Sequence, residues 1–367
     1  MRALCAQLVL VAPVLASASS PASLRCAAAG LSFAGTLTDH AVLQRAPQLA
    51  SLFGCAGNAS IVEGATVAVT FAGEEGGGGG AVNLTMPATV AGDGTWKVTL
   101  PRAFATGGLF TASLACPACP QGSWWETIHN LTFGDIFVCA GQSNMRLPLV
   151  NSFTHNATVA AIAGGAYSNV RTITVPGCAD DLHATGNWIC PQTSQYGCPS
   201  GSAWCPLSAN LGSALNNFAA TCLYFGIALT ELFVAAGETP PPLGLYDISE
   251  GGSQVEHWTS WEAQTRPGAC RNATCLCPWP NPGWTNCPIY EYPMNASDCG
   301  SNAIFWNSHI EPLLNLSFKG ALWYQARIFC RDAAQPAELM PSLLPPTLPP
   351  PLPFSVSPLR PPSLVPP

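Results

Sequence analysis

Two rhythms of apolar positions run along this chain. Across residues 31–131 apolar side chains recur at every second position in short runs: residues 65–71 read ATVAVTF, residues 95–100 read TWKVTL and residues 109–114 read LFTASL. A period of two turns one face of an extended segment inward and the other outward, which is the pattern of a half-buried strand. Asp93-Gly94, Pro101 and Gly107-Gly108 punctuate the runs as turns. These features predict a β-rich N-terminal module over residues 27–131. The run GEEGGGGG at residues 73–80 offers little to pack and is expected to be a flexible loop tip between two strands.

After Thr132 the rhythm changes. Residues 135–140, DIFVCA, form a nearly continuous apolar run of strand length, and residues 216–237 form a long helical pattern that stops at Gly237. Residues 241–249 read as the next strand, residues 307–314 as a helical turn or short helix, and residues 318–325 as a third strand. Strands alternating with helices imply an α/β layer with a parallel sheet. The long helix is apolar enough to raise the question of a membrane span. Glu231 near its middle and its place between strands make it a packed core helix, because a mid-span carboxylate is costly in lipid. Residues 331–367 have no apolar periodicity, and 13 of the 32 residues from 336 to 367 are proline, so this tail is expected to be disordered or polyproline-like.

Composition adds a compartment. The chain has 367 residues, 48% of them apolar, yet only 9% are charged. A soluble domain usually carries about 25% charged residues. Glycans could supply the missing polarity, and seven Asn-x-Ser/Thr sequons occur, at Asn58, Asn83, Asn130, Asn156, Asn272, Asn295 and Asn315. Arg2, the apolar run that follows it and Ala16-Ser17-Ala18 read as a signal peptide over residues 1–18. Its removal takes Cys5 and leaves 16 of 17 cysteines, for which disulfides are the default in an oxidising compartment. Clusters at Cys190, Cys198 and Cys205, and at Cys270, Cys275, Cys277, Cys287 and Cys299, read as stapled loops. Cys116 and Cys119 have metal-ligand spacing, but with no second such pair a loop disulfide is preferred to zinc. The formal charge of −7, with no basic stripe, argues against a nucleic-acid partner.

The candidate chemistry sits where the first parallel strand ends. There Ser143 lies between Gln142 and Asn144, directly after a glycine. A serine at the C-terminal end of a parallel strand occupies the ligand-binding edge of an α/β sheet, and the amides that follow it can face a negative oxygen. That arrangement suits acyl transfer; a hydroxyl capping the next helix is the plainer alternative.

Residues 134–145, GDIFVCAGQSNM, resemble the nucleophile block of the sialate O-acetylesterase family of SGNH-type hydrolases. Further matches follow in order: residues 39–47, DHAVLQRAP; residues 217–226, NFAATCLYFG; residues 250–258, EGGSQVEHW; and residues 305–325, FWNSHIEPLLNLSFKGALWYQ. The resemblance implies an SGNH/flavodoxin-like three-layer α/β hydrolase domain, incomplete, over residues 132–330. It implies Ser143 as the nucleophile, the amides of Ser143 and Gly252 as oxyanion donors, and the Gln325 side chain as a further donor. Gln142, Asn144, Glu256 and Trp258 would line or support the substrate. The implied ligand is O-acetylated sialic acid or another acetylated glycan, with no cofactor and no metal, in a secreted or lysosomal protein.

The likeness stops at Gln325. The family continues Trp-Tyr-Gln as Gly-Glu-Ser-Asn and later supplies an Asp-x-x-His. Here Ala326 to Phe329 follow, and no histidine occurs after His309. The expectation is a truncated or mispredicted chain whose catalysis is impaired. Asp180 and His183 have Asp-x-x-His spacing but lie where the family has a variable loop, and His257 lies beside the oxyanion block. Ser253 keeps the hydroxyl of the family's threonine, whereas Glu311 replaces its usual histidine. Two other readings compete: an inactive glycan-binding homologue, since eight of 11 tryptophans lie from Trp188 onward, and a polysaccharide acetylesterase of the xylan type.

Overall fold

The computed structural model describes residues 30–56, 63–116, 124–175, 198–199, 201–253, 255–260 and 305–325. The expected signal peptide and proline-rich tail, Asn58, Asn272, Asn295, Cys119, Cys190, the Cys270–Cys299 cluster, Asp180 and His183 lie outside the described residues.

The alternating segments form strands. In chain order these are β1 (Leu31–Phe33), β2 (Val42–Gln44), β3 (Ser51–Ala56), β4 (Thr66–Glu75), β5 (Gly80–Thr89), β6 (Thr95–Thr99), β7 (Gly107–Cys116) and β8 (Trp124–Gly141). Val67, Val69 and Phe71 of β4 are fully buried, as the period of two requires. The glycine run is more structured than expected. Gly73 and Glu75 belong to β4 and Gly80 opens β5, so the hairpin connection shrinks to residues 76–79. Glu75 explains this: its carboxylate accepts two bonds from the Arg102 guanidinium, at 3.0 and 2.6 Å, and one from the Ala105 amide at 3.1 Å. Glycine is required at the tip itself, where Gly77 and Gly78 have φ of 70° and 83°.

The second part contains α1 (Ser143–Arg146), α2 (His155–Ala163), β9 (Val170–Thr174), β10 (Cys205–Pro206), α3 (Ser213–Asn217), α4 (Ala220–Ala235), β11 (Leu243–Asp247) and β12 (Gly320–Tyr324). The long helical pattern is therefore two helices. They separate at Phe218, whose extended carbonyl accepts from the Leu149 amide at 2.9 Å. Among the described residues no helix is long and apolar enough to cross a membrane.

β1, β3 and β6 form a small antiparallel sheet. The larger sheet runs β10-β9-β11-β8-β7-β4-β5, with β12 and β2 also pairing to β8. Its two halves differ in sense. β7 pairs antiparallel with the first part of β8, whereas β9, β11 and β12 run parallel to its last part or to one another. β8 thus crosses the position, after Thr132, where the rhythm of the sequence changes.

Packing follows the pleat. The β module is centred on Phe71, Phe104, Phe110 and Phe133, whose ring centroids lie 4.7 to 6.1 Å apart. In the last part of β8, Phe137 and Cys139 face a cluster that includes Phe218, Leu223 and Ile227, while Ile136, Val138 and Ala140 face one that includes Trp258 and Phe305. β11 is buried at every position, as a central parallel strand should be.

The passage of β8 from one setting to the other is clamped at Asp135. Arg45 Nε and Nη2 donate to its two oxygens at 2.8 and 2.7 Å, Nη1 donates to Thr106, and Gln44 adds a 3.3 Å bond. Asp135 is almost wholly buried, so removing its carboxylate strands a half-buried guanidinium and a buried amide. Asp135→Ala should lower stability by about 3 kcal/mol, read as a fall in the urea midpoint, and Asp135→Asn should cost less because it keeps an acceptor. Equal losses in the two variants would show that the ion pair is not what the clamp supplies.

Candidate active site

β8 ends at Gly141, and the sequence requires glycine there. Its φ is +129°, and a Cβ on this residue would lie 2.1 Å from the Tyr324 carbonyl oxygen. The close approach lets the Gln142 amide donate to that oxygen at 3.1 Å. Gln142 stays extended, then Ser143 opens α1, and the amides of Met145 and Arg146 donate back to the Gln142 carbonyl at 2.8 and 3.0 Å. Met145 points into the core and Gln142 is buried, while Ser143 and Asn144 are exposed.

The segment after β11 closes over the same turn. The Glu250 amide donates to the Gly141 carbonyl at 2.9 Å, and Ser253 Oγ donates to the Glu250 carbonyl at 2.8 Å. Gly252, between them, has φ of 76° and open space around its Cα. The segment after β12 completes the arrangement: Gln325 Nε2 donates to the Ser253 carbonyl at 2.8 Å. One of its two N–H groups is therefore committed. Ser143, Gly252 and Gln325 are thus carried to one edge, the C-terminal ends of β8, β11 and β12, where α/β sheets bind ligands.

The other expected residues are placed differently. Trp258 is 5% exposed and packs in an aromatic cluster, with ring centroids 5.0 Å from Phe305, 5.7 Å from His309 and 5.4 Å from Trp323. It supports the loop from below. Glu256 lies in the turn Val255–Trp258. No histidine among the described residues bonds the Ser143 hydroxyl. His155 Nε2 pairs with Asn216 Oδ1 at 2.7 Å, and fully buried His309 has Nδ1 at 2.6 Å from Ser308 Oγ and no partner at Nε2.

Two features escaped the sequence. The first is Asp247, wholly buried at the end of β11, with Arg146 Nη1 3.2 Å from its Oδ2. A carboxylate ending an otherwise apolar strand was the available signal, since a buried charge needs a partner. The second is a disulfide between Cys139 of β8 and Cys222 of α4, 83 positions apart. A further disulfide joins Cys198 and Cys205, and Cys116 is disulfide-bonded as well.

Burial dominates the electrostatics of this region. It pushes Asp247 above its ordinary value against the opposing pull of Arg146 and of bonds from Ser249 and the Ala219 amide. Glu250 is raised chiefly by burial, and Glu311 is raised by it to about 7. Burial lowers His257 to about 4, and burial aided by Arg146 lowers His309 to about 3.

No protein-family model matches the chain. It is similar to the sialate O-acetylesterases of Homo sapiens, at 29% identity over 308 residues, and Rattus norvegicus, at 28% over 315. Each match takes in 82% of this chain but 49% and 53% of the relative, so the chain spans about half the length of the curated relatives it matches. Among solved structures it is similar to a carbohydrate acetylesterase from Xanthomonas citri, with a TM-score of 0.52, 23% identity, and coverage of 80% of this chain and 51% of that one. The mixed α/β fold is therefore shared with that protein, and the named relatives are carboxylic ester hydrolases.

The buried histidines make an acid-range prediction. His309 is protonated below about pH 6.5 in the unfolded chain but stays neutral in the fold down to about 3. Its contribution to stability is therefore present above 6.5 and lost as pH falls, at up to about 1.4 kcal/mol per pH unit. Glu311 acts oppositely: its contribution is fully present below 4.5 and lost as pH rises through about 7. Between pH 5 and 4 the urea midpoint of the protein should fall, and His309→Met should fall less steeply. Matching slopes would remove His309 from the linkage.

Proposed function

We infer that this chain is a carbohydrate O-acetylesterase of the SGNH type, with Ser143 as its nucleophile and O-acetylated sialic acid as its leading substrate. The observation that carries this reading is the convergence of exposed Ser143 and Gly252 and half-buried Gln325 beyond the ends of β8, β11 and β12, within segments hydrogen-bonded to one another. In this scheme Ser143 Oγ attacks the acetyl carbonyl, and its oxygen takes up charge facing the amides of Ser143 and Gly252 and the second N–H of Gln325. The sugar leaves as an alcohol, and water then hydrolyses the acetyl-enzyme. Each well-aimed donor is worth about 3 kcal/mol to such an intermediate. Gln142, Asn144, Glu256 and Trp258 are assigned to supporting and shaping the pocket. Residues 27–131 act as a β module on which the hydrolase part, residues 132–330, is mounted.

A secreted or lysosomal location fits the disulfides at Cys139–Cys222 and Cys198–Cys205, which belong to oxidising compartments. Asn83, Asn130 and Asn156 are exposed and available to carry glycans. The Ser143 proton must pass to a base for this attack, and loss of such a base in a serine hydrolase costs about a million-fold in turnover.

The test is acetate release from O-acetylated sialic acid and from acetylated xylan, comparing the protein with Ser143→Ala. Acetate release that disappears in the variant is the expected result. Equal release in both removes Ser143 from the mechanism. Preference for xylan would move the substrate to polysaccharides, and glycan binding with no acetate release would favour the inactive, glycan-binding reading.

A further inference from the structure

α1 is a single helical turn, and the side chain of its N-cap residue, Gln142, makes no capping bond. Backbone bonds to the Gln142 carbonyl and one from Thr221 Oγ1 to the Asn144 carbonyl, at 3.1 Å, hold it from above and from the side. Its charged tether to the sheet is Arg146, three residues after Ser143, on Oδ2 of Asp247. The other oxygen of the same carboxylate is occupied too: Oδ1 accepts from the Ser249 amide at 3.1 Å and from Ser249 Oγ. Ser249 begins the segment whose next residues, Glu250 to Ser253, fold over Gly141 and carry Gly252.

We propose that Asp247 is a positioning residue, one buried carboxylate that holds the Ser143 turn through Arg146 and the Gly252 loop through Ser249, and so fixes their mutual register. The kinetic part of this proposal rests on the esterase reading; the structural part stands without it. Asp247 is suited to the task because it ends the central strand of the parallel part, flanked by Cys139 of β8 and Thr174 of β9, with no exposure to solvent. Both oxygens being engaged, it is not placed to take the Ser143 proton. Among the described residues, Glu250 in the loop and His309 in the turn Trp306–Ile310 also act on this cluster, each through the charge of Arg146. Asparagine at 247 would keep an acceptor for Ser249 but would hold the guanidinium as a neutral group and not as an ion pair.

Hydrogen exchange reads the two arms separately and needs no turnover. Asp247→Asn should speed exchange in both segments 142–149 and 248–253 by about tenfold or more, Arg146→Gln in the first alone, and Ser249→Ala in the second alone. Faster exchange in one segment only, or in neither, in Asp247→Asn overturns the proposal. Should that variant not fold, the single-arm variants decide, and Arg146→Gln with segment 142–149 at the wild-type rate overturns it equally. Kinetically, Asp247→Asn should lower kcat for acetyl ester release by about a hundredfold with KM nearly unchanged, as expected for a small misplacement of reacting groups, and Arg146→Lys should recover part of what Arg146→Gln loses. A change confined to KM contradicts positioning. A wild-type protein that neither releases acetate nor is labelled at Ser143 by a fluorophosphonate sinks the esterase reading, while the exchange rates still decide the role of Asp247.

Discussion

Strand β8 must satisfy the hydrogen bonds of two differently built regions along one continuous backbone, and the location of Ser143 follows from how it does so. Over residues 124–133 it pairs antiparallel with β7, with β2 parallel to it along 132–134; beyond that its neighbours are parallel, β11 along 135–139 and β12 along 137–141. The change of setting passes through Gly134, where a Cβ would lie 1.9 Å from the Pro242 carbonyl oxygen, and Asp135, whose amide donates to that oxygen at 2.9 Å. Because β8 is stapled at this point by Arg45 and packed on both faces beyond it, its far end is a fixed point. A rigid element carrying the reactive group gives better-defined geometry than a loop could.

At that far end, backbone contact replaces side-chain contact. Gly141 allows β12 to approach so closely that the three candidate segments bond to one another mainly through amides and carbonyls. Side chains then act as wedges and tethers: Met145 pins α1 from below, Gln325 ties β12 to the loop after β11, and Asp247 ties that loop to α1. Around these, burial is the main influence on the charge states of His257 and Glu311 and, aided by Arg146, on that of His309. Such an environment strengthens any electrostatic contact made inside it.

Much of this organisation was legible in the sequence, for identifiable reasons. Runs such as TWKVTL announce a strand because alternation is a local property, and DIFVCAG announces its own end because glycine follows an unbroken apolar run. The segments that meet at the site were legible through their resemblance to known blocks, in order along the chain. What was hidden depends on partners far apart. β2 has three residues and is a strand because β8 lies beside it. Arg45 and Asp135 are 90 positions apart and Arg146 and Asp247 are 101 apart, and no local pattern names the partner in either pair. The helical pattern at residues 216–237 concealed a break at Phe218, since the break answers to a tertiary bond with Leu149 and not to propensity.

The cystine between Cys139 and Cys222 places a limit on the order of assembly. Both sulfur-bearing residues are completely excluded from solvent, enclosed with Met145, Leu149, Phe218 and Leu223. Oxidant reaches a thiol only while it is accessible, so the two sulfurs must meet before that enclosure is complete. Oxidation is then a step in building the sheet and helix together, and once enclosed the bond is shielded from solvent for as long as the fold stays closed.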